Sequence, residues 1–257
     1  MEMIGLIAAL PLESKALLRY IKHWKRTTIG TFRAYRFQLN DRNCLLVTSG
    51  MGLECARDAT HALLVGSNLQ LLVSFGIAGA VHSDLNIGDV VVARNTCLLK
   101  KGYPGQFRPL ACLSEEAWNA AVQILQQDDA HLVSGSAITT HGSQAILQVL
   151  EEITHPVLEM ETAGIAQVAS EMGIPLVSIR SVSDGPQSPI PFDLEAILDD
   201  KENIRVGKLL GVVFRHPQII FRSKKMIQNS RKAADHAARA LVAALIQPSP
   251  ILSPRIG

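Results

Sequence analysis

Residues 156–184 read "PVLEMETAGIAQVASEMGIPLVSIRSVSD", and the fold class turns on them. An apolar run, "PVLEM" (156–160), passes into a helical pattern, "ETAGIAQVASEMG", which Gly173 closes with Pro175 just beyond. Glycine past the last helical residue, with proline soon after, marks a helix end. A second apolar run, "IPLVSIRSVSD" (174–184), completes a strand–helix–strand unit. The first run ends on two carboxylates, Glu159 and Glu161, where a short buried strand normally avoids charge. Their presence asks for a chemical reason.

The same alternation extends toward the N-terminus. "MIGLIAAL" (3–10) leads into "PLESKALLRYI", with Pro11 suited to a first helical turn. "NCLLVTSG" (43–50) leads through Gly52 into "LECARDATHALLV", and "LQLLVSFGIAGAV" (69–81) follows. "IGDVVVARN" (87–95) and "HLVSGSAIT" (131–139) read as strands around a helix, "SEEAWNAAVQILQQ", opened by Ser114. Near-continuous apolar strands alternating with helices predict an α/β fold with a buried, mostly parallel central sheet flanked by helices. "TTIGTFRAYRFQLNDRNCLLVT" reads instead as a hairpin turning at Asn40-Asp41, which makes the sheet mixed. The pattern breaks at a turn-rich stretch, "PQSPIPFD" (186–193). We therefore expect an α/β domain over 1–200, a basic amphipathic helical extension over 201–247, and a disordered Pro-rich tail over 248–257.

At 257 residues, 47% hydrophobic and 19% charged, the composition is that of a globular protein with a sizeable core. The net charge of +2 hides an asymmetry: residues 201–240 hold ten Lys or Arg against Glu202 and Asp235, about +8, leaving the remainder near −6. Cys44, Cys55, Cys97 and Cys112 show neither a CxxC pair nor metal-like spacing with histidine, and read as buried free thiols. His61, His82, His141 and the other histidines are scattered, so no metal is expected. The N-terminal apolar stretch has no basic region before it and Glu13 directly after, which predicts a core strand rather than a signal peptide. No run approaches the roughly eighteen apolar residues of a membrane span. A soluble, cytoplasmic protein is the expectation.

In open α/β sheets ligands collect at the carboxyl ends of strands. Glu13, the Glu159/Glu161 pair and Asp184 all sit at such ends. Singly, Glu13 and Glu161 would also suit a helix N-terminus, and Asp184 before Gly185-Pro186 would suit a turn. Together on one sheet edge they point to a site. "TSGMG" and "SFGIAGA" add glycines, Gly50, Gly52, Gly76 and Gly79, where backbone N–H groups can approach a ligand. A nicotinamide-cofactor reading of "GMGLEC" fails, because Cys55 replaces the third glycine and no acidic residue ends the next strand.

On these motifs the chain resembles the purine nucleoside phosphorylase and methylthioadenosine/adenosylhomocysteine nucleosidase superfamily. The likeness runs from "IGLIAALPLESKAL" through "SGMG", "SFGIAGAV" and "LNIGDVVVA" to "LEMETAGIAQVASEMGIPLVSIRSVSD", over about residues 3–185. Its specific part is the E-M-E-T-A run with S-D some twenty residues later. "SFGIAGA" and "RVGKLLGVVFRHPQIIFRSKK" are most similar to the hopanoid-associated phosphorylase branch.

The resemblance implies cleavage of an N-glycosidic bond in a purine (adenosine-type) nucleoside, with no organic cofactor. It implies that Glu161 accepts hydrogen bonds from the ribose hydroxyls, that Met160 lies under the sugar, and that Asp184 is the general acid at the purine N7. Glu13 matches the carboxylate that activates water, and Ser183, Met51, Ala78 and Gly79 match pocket-lining positions. Glu159 comes with the motif and is expected only to support its neighbours. Two departures matter. Phosphorylases of the superfamily carry an arginine before the glycine-rich turn, and "LQLLVSFG" has no basic residue there. With Glu13 present, this favours water over phosphate, while phosphorolysis with phosphate as co-substrate stays the alternative. "SGSAITT" replaces a pattern with aspartate and phenylalanine, leaving Ser136 and Ile138 near the base.

The resemblance also implies a homo-oligomer and, through the hopanoid branch, an adenosine joined to a triterpenoid lipid. A basic amphipathic segment over 201–247 would then touch the inner membrane face. Two rival readings are a non-catalytic nucleoside-binding protein, which would need no general acid, and a nucleic-acid binder. The second is disfavoured, because the basic segment offers only Phe214 and Phe221 for stacking.

Overall fold

The computed structural model describes residues 3–65, 67–100, 103–140, 150–186, 218–248 and 251–253. Most of the turn-rich stretch at 186–193 and the basic residues up to 217 lie outside the described residues.

The chain builds a mixed sheet between two helical layers. Its elements are β1 (Met3–Ala8), α1 (Pro11–Leu18), β2 (Trp24–Ile29), β3 (Phe32–Leu39), β4 (Arg42–Thr48), α2 (Leu53–Val65), β5 (Leu71–Ala80) and β6 (Val90–Lys100). There follow β7 (Tyr103–Pro104), β8 (Arg108–Pro109), α3 (Glu115–Gln126), β9 (Leu132–Thr139), β10 (Pro156–Glu159), α4 (Thr162–Glu171), β11 (Leu176–Asp184) and α5 (Gln218–Leu245). The strand order is β10-β9-β6-β11-β5-β1-β4-β3-β2, with β7 and β8 pairing on β6. β4, β1, β5 and β11 run parallel, as the apolar runs predict, and β6 enters antiparallel to β11.

Three features extend the sequence reading. The expected hairpin is a three-stranded meander, because a second turn at Gly30 (φ 54°) adds β2 to the edge. β2 keeps Lys25 and Arg26 exposed, which discourages pairing with another sheet. β10 pairs with β9 on one side and antiparallel with β5 on the other, through Val157↔Ala80 and Leu158↔Gly79. That second pairing closes β5, β11, β6, β9 and β10 into a ring.

Helices α1, α3 and α5 cover one face. Ala16, Leu17, Ala117, Leu125, Ala234, Leu241 and Leu245 interdigitate there with Leu6, Leu46, Val73 and Val92. α2 and α4 cover the other through Ala56, Leu63, Ile165 and Ala169 over Leu45, Val47 and Leu72. The C-terminal half of the basic extension is thus core, not an appendage. Within the tail expected to be disordered, residues 251–253 are held instead: Ser114 donates its N–H to Ile251 O (2.7 Å), Ser253 donates to Cys112 O (3.0 Å), and Ile251 is buried. The correction has a plain cause, since one apolar side chain and these backbone bonds are enough to fix three residues. None of the four cysteines is in a disulfide; Cys44 and Cys97 are buried as expected, whereas Cys55 and Cys112 are only half-buried. Among the described residues no helix is long and apolar enough to cross a membrane.

Candidate active site

Glu13 sits at the third position of α1, where Pro11 has set the first turn. Its Oε2 accepts from Leu10 N (2.7 Å), and its Oε1 accepts from Ile77 N (2.9 Å) across in β5. Glu13 is 2% exposed. Burial raises its pKa, and the Leu10 and Ile77 N–H groups and the Arg180 guanidinium pull it back down.

The opposite wall comes from the end of β10. Glu161 accepts from Gly52 N (3.0 Å), a close approach made by a residue with φ of 97°. Desolvation first, then the neighbouring Glu159 carboxylate, push the Glu161 pKa up to about 7. Asp184 ends β11 beside a register shift between Val182 and Asp184. Ser183 Oγ lies 2.6 Å from Asp184 Oδ1 and 3.3 Å from Ala78 O. Burial raises the Asp184 pKa and the Ser183 hydroxyl opposes it.

Glycines make room for both acids on β5. A Cβ at Gly76 would overlap Glu13 Oε1 and lie 2.9 Å from Arg180 Nη1; a Cβ at Gly79 would lie 2.8 Å from Asp184 Oδ2. Glu13 and Asp184 therefore both lie against one segment of β5, residues 76–79. Ala78 and Ser183 are buried there and Gly79 is half-buried, as are Met51 and Met160, the chain neighbours of Gly52 and Glu161. Ile138 is fully buried, packed with Val81, Cys97, Leu99 and Leu150.

The sequence reading missed Arg180. It sits mid-strand in β11, is 1% exposed, and binds Glu159 Oε2 (2.8 Å), Ser74 Oγ (2.6 Å) and Thr162 Oγ1 (2.9 Å) through Nη2. Glu159 in turn accepts from Glu161 N (3.0 Å), Thr162 N (2.8 Å) and the hydroxyls of Thr162 and Thr139. Breaking such a pair leaves an uncompensated buried charge, at about 3–5 kcal/mol. Glu159 thus aims the backbone that carries Glu161. The available signal was an arginine inside the apolar run "LVSIRSV". Among the described residues no group of three or more His, Cys, Asp or Glu is arranged to hold a metal ion.

The raised Glu161 pKa gives a signed stability expectation. Between the ordinary carboxylate value of 4.5 and about 7 the folded state holds a proton that the unfolded chain has released. Stability therefore falls as pH rises through that window. Glu161→Gln should flatten the decline in melting temperature between pH 5 and 8, and an equal decline in both proteins would remove Glu161 as its source.

A model of the phosphorylase superfamily matches residues 3–210. A 5′-methylthioadenosine/S-adenosylhomocysteine nucleosidase of Tolumonas auensis is 31% identical over 208 residues, covering 74% of this chain and 90% of the relative. The corresponding nucleosidase of Glaesserella parasuis is 28% identical over 206 residues, with the same coverages. Among solved structures, the Neisseria meningitidis nucleosidase in complex with methylthio-immucillin-A superposes with a TM-score of 0.68 at 20% identity, covering 96% of this chain and 99% of that one. A futalosine hydrolase mutant of Helicobacter pylori gives 0.68 at 17% identity, covering 95% and 98%.

Proposed function

The chain belongs to the phosphorylase superfamily, and we propose that it hydrolyses the N-glycosidic bond of an adenosine-type nucleoside. One observation carries the reading: buried Glu13 and half-buried Asp184, both with raised pKa values, lie against the same segment of β5, residues 76–79. Glycosidic cleavage builds positive charge on the sugar and negative charge on the departing base, so it needs carboxylates and one acid. Asp184, whose pKa burial raises, gives its proton to the purine N7 as the C1′–N9 bond breaks. Glu13 takes a proton from water as the water oxygen bonds to C1′. Glu161 accepts the ribose hydroxyls, with Met160 beneath the sugar. Met51, Ala78, Gly79 and Ser183 line the pocket, and Ile138 backs the base from within its apolar cluster.

Charge favours water as the nucleophile. Arg180 Nη2 is committed to Glu159, Ser74 and Thr162, and its Nη1 faces Glu13. A phosphate dianion placed there would meet carboxylates. Incubation with 5′-methylthioadenosine, S-adenosylhomocysteine and adenosine should release adenine and free sugar at a rate indifferent to phosphate. A strict phosphate requirement with sugar 1-phosphate as product would overturn hydrolysis, and bound but uncleaved nucleoside would leave a binding protein. No organic cofactor is assigned, and a cytoplasmic homo-oligomer is the assembly we propose, read out by sedimentation.

For the 5′ substituent, one observation supports a lipid. Ile227 is 45% exposed on α5, within a turn of exposed Lys224, Lys225 and Arg231. A basic face with an apolar residue suits an anionic membrane surface at about 1 kcal/mol per cation. This chain should float with phosphatidylglycerol vesicles at low salt, and K224E/K225E/R231E should not. Equal behaviour of the two would remove the membrane contact. Truncation after Asp200 is unsuitable as a test, because it deletes Ala234 and Leu241 from the core.

A further inference from the structure

We propose that a second cavity, between β6 and β9, binds a small phosphate monoester. It has a volume of about 420 Å³, and its lining includes Arg94, Asn95, Phe107, Ser134, Ser136 and Thr154 but none of the catalytic carboxylates. That size fits a small-molecule pocket. A register shift creates it: Ala93 faces Gly135 and Asn95 faces Ser136, so Arg94 is an extra residue in β6. Such bulges re-aim side chains, and they concentrate beside functional sites.

Four features define the ligand. Arg94 Nε donates to Ser134 Oγ (2.5 Å), which fixes the guanidinium plane and leaves its terminal amines to face an anion. Among the described residues no carboxylate pairs with Arg94, and the cavity lining contains no Asp or Glu. The hydroxyls of Ser136 and Thr154 add donors, so the lining suits an acceptor-rich anion. Among the described residues Asn95 Oδ1 is buried without a hydrogen-bond partner, and a ligand O–H or N–H reaching it from the cavity would satisfy it. Phe107, 38% exposed, supplies an apolar wall for the organic part. A phosphate ester carrying a hydroxyl or amine beside its phosphate meets all four. Sugar phosphates and nucleoside monophosphates share this chemistry.

Calorimetric titration of the full chain with ribose 5-phosphate, adenosine monophosphate and inorganic phosphate separates the sources. At least one ester should bind more tightly than inorganic phosphate. R94A should weaken it at least about tenfold, R94K less so, because lysine keeps the charge but not the fork. N95A should weaken the ester and leave inorganic phosphate unchanged. E161Q should leave ester binding intact, since Glu161 is not among the residues that line this cavity. Arg94 is exposed, so an unchanged melting temperature secures the comparison. Absence of binding at millimolar ester, binding insensitive to R94A, or binding lost in E161Q would each overturn the proposal. A smaller sedimenting species in R94A would overturn it too, by making the cavity a contact between copies.

Discussion

Asp184→Asn is expected to lower turnover at least about a hundredfold while leaving nucleoside binding and folding nearly unchanged, the usual scale for loss of a general acid. The side chain is close to isosteric, and its carbonyl oxygen can still accept from Ser183 Oγ, 2.6 Å from the present carboxylate. What is lost is the proton. Asp184 gains a raised pKa chiefly from burial, so the wild type holds that proton to higher pH than an ordinary aspartate does. The pH profile carries the sign. Wild-type kcat should fall on the alkaline side as Asp184 deprotonates, and on the acid side as Glu13 and Glu161 take up protons. The asparagine variant should keep the acid limb and lose the alkaline one. Near-normal turnover in this variant would remove Asp184 from the mechanism.

The sequence exposes Glu13, Glu161 and Asp184 because strand ends are where a charged residue stands out against an apolar run. It also exposes the parallel strands, whose apolar continuity reflects burial on both faces. The closing of the sheet is hidden for a physical reason. β10 meets β5 through backbone bonds at Ala80 and Gly79, and such bonds leave no signature in side-chain pattern. Arg180 was hidden differently. An arginine in a strand reads as an edge or a solvent-facing position, and only the folded chain brings Glu159, Ser74 and Thr162 around it. The role of Glu159 follows from the same contacts: it neutralises Arg180 and holds the backbone N–H of Glu161. Ile138 is the reverse case. A position expected beside the base is fully enclosed, so its contribution there is to shape.

Glu13→Gln should abolish most hydrolysis, a loss on the order of a hundredfold to ten-thousandfold. Two effects compound. The amide cannot take the proton of an attacking water, and it replaces one acceptor with a donor. The present carboxylate accepts from Leu10 N through one oxygen and Ile77 N through the other, so one of those N–H groups would face an NH₂. An unsatisfied buried donor costs about 1–3 kcal/mol, partly offset by removing a buried charge. The melting temperature should therefore move little compared with the activity, and retained adenine binding would show that the pocket survives. Phosphate supplies the decisive arm. A water nucleophile needs Glu13 as its base, whereas phosphate arrives already anionic and needs none. With Glu13 neutral, one carboxylate that repels phosphate has gone, and the guanidinium beside it attracts the anion with less competition. If added phosphate leaves Glu13→Gln inactive, the base role stands. If phosphate restores turnover in the variant and drives it in the wild type, the chain is a phosphorylase whose Glu13 holds the β5 backbone at Ile77 rather than activating water.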